Sequence, residues 1–152
     1  MSKLETDLDR LQRTIDAFCT YAHAMPDRTA SGQTWGVREV LAHLVYHHEA
    51  YVAQARALVA GQEFTLPVGR FKDMNAQAVI IHRDVPMGEL VRRLRNADHQ
   101  LREIAVEPGA AHLSIQIKEG SKRWPLRDLI CAVEAHVRRH HQHLIKAPQI
   151  AS

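Results

Sequence analysis

Aromatic side chains are scarce: two Trp, three Tyr and three Phe make up only 5% of the 152 residues. Sandwiches and barrels draw heavily on aromatic and β-branched residues. The deficit therefore points to a core of Leu, Val, Ile and Ala, which suits packed helices. Cysteine is nearly absent as well. Cys19 and Cys131 have no CxxC spacing, which excludes a disulfide framework and a cysteine zinc knuckle. Both read as small buried hydrophobes kept as thiols in a reducing compartment. No apolar run reaches membrane-spanning length. Met1 to Arg10 carry charges throughout and hold no apolar stretch of signal-peptide length, so the expected location is the cytoplasm, with no membrane partner. An excess of one charge is also missing. Twenty Lys and Arg face 17 Asp and Glu, interspersed along the chain, and the formal charge of +3 is too mild to imply nucleic acid. Arg92, Arg93, Arg95, Arg138 and Arg139 lack interleaved aromatics and read as solvated helix faces.

What is present is helical periodicity over the length of one ordinary domain, residues 1–152. Leu4, Leu8, Leu11, Ile15, Phe18 and Cys19 recur at three- and four-residue spacing and predict a helix to about Ala24. Pro26 and the polar run Asp27 to Gln33, with Gly32, predict a loop. Gly36 with Glu39 three residues on marks the next helix start. Val37, Val40, Leu41, Leu44, His48, Tyr51, Val52 and Ala55 carry that helix toward Gly61. Phe64 to Gly69 reads as a loop or short extended piece, and Asp73 to Ile81 as a short helix. Pro86 opens a third long helix whose stripe is Leu90, Val91, Leu94, Ala97, Leu101 and Ile104. Between Glu107 and Arg123 the alternation of Leu113, Ile115 and Ile117 suggests a small hairpin at one end of the helices. The last helix is expected to open at Trp124, with Pro125 in its first turn and Leu126, Leu129, Ile130, Val133, Val137, Leu144 and Ile145 as its stripe.

Trp35 to Leu41 and Trp124 to Ile130 match in residue type at every position but the second. Two helices thus begin with the same device, an aromatic that packs the helix start and an acid in the first turn. These two helices also carry most of the histidines. Seven of the 11 fall in two windows, His43 to His48 and His136 to His143.

His136 and His140, at i and i+4, share a helix face about 6 Å apart, the separation at which two imidazoles can bind one metal ion. Their row continues Leu129 and Val133, so they should point inward. A third ligand from the second helix could be His43, His47 or His48; periodicity puts His48 nearest the apolar centre and His43 with His47 along one edge. His47, His48, His141 and His143 otherwise read as solvent-facing, or as groups that support the ligands from behind. His23, His82, His99 and His112 have no evident partners.

Trp35-Gly-Val-Arg-Glu-Val-Leu-Ala-His43-Leu44 and His136-Val-Arg-Arg-His140-His-Gln-His-Leu144 resemble the DinB/YfiT-like four-helix-bundle proteins, including their ClbS/DfsB branch. The resemblance covers helix order and lengths over most of the chain. It implies an all-α, up-down-down-up-type four-helix bundle, here with a short extra helix and a small hairpin before the last helix. It also implies a metal triad of His43, His136 and His140, and so selects His43. Two positions depart from the family pattern: His143 stands where many members have Gln, and Pro125 where a small polar residue follows the tryptophan.

Three protein ligands leave a coordination position open, as in catalytic zinc sites. The expected cofactor is a divalent metal ion, Zn or Ni first and Fe or Mn next. It would lower the pKa of its water to about 7 or hold a low-molecular-weight thiol as thiolate. The expected activity is that of a metal-dependent hydrolase or thiol transferase acting on a small-molecule substrate. The alternative is a stress-related protein that binds metal or ligand without turnover. Glu49, Glu134 and His47 lie within a turn or two of the ligands as candidate general bases, and Glu134 ranks below His47 because it lies on a different helix face from His136. Family members are commonly homodimers, and the same is expected here.

Overall fold

The computed structural model describes residues 1–25 and 35–146. The loop expected from Pro26 to Gln33 lies outside them. Among the described residues are five α-helices: α1 (Lys3–Ala24), α2 (Val37–Val59), α3 (Phe71–Ile81), α4 (Met87–Ala105) and α5 (Leu126–Lys146). A 3-10 turn (Ala110–His112) and two short strands, β1 (Ser114–Gln116) and β2 (Arg123–Pro125), precede α5. The chain is an all-α bundle with a small hairpin before its last helix.

The caps follow from local chemistry. The Ser2 side chain accepts from Glu5 N–H at 3.1 Å and starts α1. Glu39 reaches back to Gly36 N–H at 3.5 Å to start α2. At the far end of α2, Gly61 takes φ +68°, a left-handed conformation that glycine adopts without a Cβ penalty. The helices then bury the expected stripes: Leu8, Leu11, Ile15 and Phe18 from α1, Leu90, Leu94 and Leu101 from α4, and Leu126, Ile130 and Val137 from α5. Over Val37 to Val45, α2 is buried on every side, the pattern of a helix enclosed by others.

Side-chain pairings give the helix directions. Along α1, Asp9, Asp16 and Cys19 meet Arg102, Arg95 and Val91, so α1 and α4 are antiparallel. Arg38 meets the Val85 carbonyl just before α4, and Glu49 meets Arg93, so α2 runs parallel to α4. Thr14 bonds Glu134, and Phe18 touches His141, so α1 runs with α5. The result is up-down-down-up for α1, α2, α4 and α5. α2 packs broadly on α4 and meets α5 over few residues, which leaves space between α2 and α5.

Several boundaries differ from the sequence expectations. α3 begins at Phe71 rather than Asp73, because the Arg70 carbonyl accepts from both Asp73 and Met74 and closes the first turn earlier. Trp124 and Pro125 belong to β2, not to the last helix. Trp124 pairs with Ile115 and Ser114 with Pro125, and Leu126 N–H extends the ladder to Leu113 O at 2.8 Å, so the helix starts at Leu126. Ile145 is exposed, and so is Cys131, which lies off the apolar row of α5; only Cys19 is buried. The repeated device keeps its spacing: each tryptophan sits two residues before its helix, at Val37 and at Leu126, and both pack half-buried on the core. No helix among the described residues is long and apolar enough to cross a membrane.

Candidate metal centre

Antiparallel α2 and α5 bring three imidazoles together. His136 Nε2 lies 3.1 Å from His43 Nε2 and 3.1 Å from His140 Nε2, and the candidate ligand atoms all lie within 4.8 Å of one another. His136 and His140 stand one turn apart with perpendicular rings, 4.5 Å between centroids. His43 is buried on α2, while the other two are half-buried on α5. A neutral imidazole nitrogen either donates one hydrogen bond or accepts one. His136 Nε2 therefore cannot bond well to both neighbours, whereas a single cation between the rings would satisfy all three lone pairs. By this test the residues fit a divalent metal.

Electrostatics keep those lone pairs free. Burial pushes His43 down to about 3, with the charges of His47, His136 and His140 adding to the shift. Burial, then His140 and Arg139, push His136 down to about 4. His140 is lowered by burial, His143 and Arg139. Neutral imidazole is the form that binds metal. The cluster could hold a metal ion.

The other candidate residues divide clearly. His47 is buried one turn from His43, 4.7 Å between rings, and its Nε2 bonds Asn75 Oδ1 of α3 at 2.9 Å. Burial lowers its pKa, against the Asn75 bond. His48 is nearly fully buried and faces α4, with Asp98 at 3.3 Å; it joins two helices and belongs to neither the solvent nor the triad. Its central place on the apolar face explains why. His141 packs on Phe18 and Tyr21, and His143 is exposed. Glu49 is tied to Arg93 at 3.0 Å, and Glu134 accepts from Thr14 at 2.8 Å and Arg138 at 3.2 Å, so both carboxylates turn to other helices. His82, which had no evident partner in the sequence, is buried with Nδ1 on the Ala78 carbonyl and Nε2 beside Arg93.

Above the histidines lies a cavity of about 340 Å³, within the usual range of small-molecule sites. His43, His47 and His136 line it together with Asn75, Phe71, Ile117 and Trp124. Asn75, Phe71 and Arg139 escape sequence reasoning. Asn75 comes from the short helix over the site, Phe71 precedes the helix as read from the pattern, and Arg139 sits in a basic pair that resembles any solvated face. Trp35 also does more than pack a helix start, since its ring lies 5.2 Å from His43.

Fold and site thus define a helical bundle with a three-histidine cluster, two of whose members, His43 and His136, line a pocket. No family model, curated protein or solved structure matches the chain.

Proposed function

We propose that this chain is a metal-dependent enzyme of the DinB-like kind, a hydrolase or thiol transferase acting on a small molecule, with His43, His136 and His140 as its metal ligands. The observation that supports it is the convergence of three neutral imidazole nitrogens, grouped so that hydrogen bonds among them cannot satisfy all three, with His43 and His136 lining a cavity. A divalent ion there, Zn or Ni first and Fe or Mn next, supplies Lewis acidity that activates water or a low-molecular-weight thiol. The chain's own part is to hold three lone pairs in place and to enclose the reactants between α2, α5 and the hairpin. His47, fixed by Asn75, is the cavity's candidate for moving a proton, because Glu49 and Glu134 are engaged elsewhere. The same reading carries a cytoplasmic homodimer, and light scattering measures the pairing.

A second reading, binding without turnover, draws on one observation: among the described residues no carboxylate lines the cavity to serve as a general base. Both readings share one test. Untagged protein is titrated with Zn and Ni by calorimetry, and metal-loaded protein is screened for thiol transfer and for ester and amide hydrolysis. One ion per chain, lost in His140→Ala, with metal-dependent turnover is the expected result. Binding with no turnover would favour the second reading, and no binding of any ion would sink both.

A further inference from the structure

The charges around the cavity are one-sided. Its lining includes one permanently charged side chain, Arg139, and no Asp or Glu among the described residues. Other arginines are held in ion pairs: Arg93 with Glu49, Arg95 with Asp16, Arg102 with Asp9 and Arg138 with Glu134. Arg139 has no ion pair among the described residues. Two lysines add to the same sign at the aromatic walls. Lys122 Nζ lies 3.9 Å from the Trp124 ring centroid, and Lys118 Nζ lies 5.1 Å from that of Phe71. Nearby acids are outside the lining: Asp73 is paired with Arg70, and Glu119 is exposed beyond the hairpin strands.

The remaining walls are apolar, with Leu44, Ile117, Trp124, Leu129 and Val133 beside Phe71. A guanidinium recognises oxyanions through its planar fork of donors. An apolar pocket with one such group selects a molecule of matching polarity.

We infer that the cavity takes a small, largely apolar molecule bearing one oxyanion, typically a carboxylate, with Arg139 meeting the anion and Phe71, Trp124 and Ile117 enclosing the apolar body. This substrate class rests on the proposed function for the place where chemistry occurs, but its recognition needs no metal.

The test uses chelator-treated full-length protein and three probes of one shape: 4-phenylbutyrate, 4-phenylbutanol and 4-phenylbutylamine. Binding is followed by calorimetry and by amide shifts of residues around the cavity. The carboxylate should bind about tenfold tighter than the alcohol, and the amine weakest. Arg139→Ala should bring carboxylate and alcohol within about twofold, while Arg139→Lys, which keeps the charge but loses the planar fork, should fall between Arg139→Ala and the unaltered protein. Arg139 is exposed, so neither change threatens the fold. Equal binding of carboxylate and alcohol by the unaltered protein would overturn the inference, as would a preference that survives Arg139→Ala. A carboxylate preference in protein that never binds metal would keep this inference and remove the metal-enzyme reading. Metal binding without the preference would do the reverse.

Discussion

His43 Nδ1 is buried with no hydrogen-bond partner among the described residues, while Nε2 faces the cluster. Such an unpaired nitrogen costs about 1–3 kcal/mol, and an ion held at Nε2 would not relieve it. The histidines also make the metal-free fold sensitive to acid. His43 is held near 3 and His136 near 4, below the ordinary 6.5, so the folded chain binds fewer protons than the unfolded one. Stability is therefore full above about pH 6.5 and falls as pH drops toward 4 and then 3. Urea midpoints of chelated protein should be lower at about pH 5 than at about pH 7.5. That difference should shrink when His43 and His136 are both changed to Asn, and equal midpoints in the unaltered protein would contradict the burial described. Glu134→Ala tests the opposite kind of residue. Loss of its bonds to Thr14 and Arg138 should lower stability by about 1–3 kcal/mol, read by urea unfolding, and leave metal affinity within about twofold. The i, i+4 pair His136 and His140 could be read from the sequence because helix geometry alone sets their distance. Periodicity did not choose among His43, His47 and His48; the resemblance of the Trp35–Leu44 segment selected His43, and the fold separates the three by the neighbour each meets: α5, Asn75 of α3 and Asp98 of α4.

At the scale of elements, the hairpin and α3 are the parts that shape the pocket, and polar residues of α2 fasten each of them, His47 holding Asn75 of α3. Gln54 donates to Gln116 O at 2.8 Å and accepts from Gln116 N–H at 2.7 Å, fixing β1 against α2. Gln54→Ala should lower stability by about 1–2 kcal/mol in urea unfolding and speed hydrogen exchange across Ser114 to Arg123, while the long helices keep their protection. Buried Arg38 bonds the carbonyls of His82, Arg83 and Val85 and so holds the turn from α3 to α4. Arg38→Met should cost about 1.5–3 kcal/mol, because charge-assisted bonds are lost and carbonyls are left unpaired. The long helices were legible from the spacing of Leu8 to Phe18 and of Leu90 to Ile104, where a 3.6-residue period persists over many turns. The start of α5 was not. Trp124-Pro125 resembles a helix start, and only pairing with Ile115, remote in sequence and weak in pattern, draws it into a strand.

For the molecule as a whole, the up-down-down-up order places α2 beside α5 although 66 residues lie between their ends, Val59 and Leu126. The intervening chain is what roofs the space between them: α3 supplies Asn75 and Phe71, and the hairpin with its tip supplies Ile117 and Trp124. Composition could indicate helices but not this arrangement, because a pocket is a property of what fails to pack, and sequence periodicity records only what does. The central claim is that His43, His136 and His140 act as one ligand set. Its most direct test is X-ray absorption on Zn-loaded protein, which counts imidazoles around the ion. Three imidazole nitrogens at about 2.0–2.1 Å plus one non-histidine oxygen ligand are expected, falling to two imidazoles in His43→Ala. Two or fewer imidazoles in the unaltered protein, or a spectrum unchanged by His43→Ala, would contradict it.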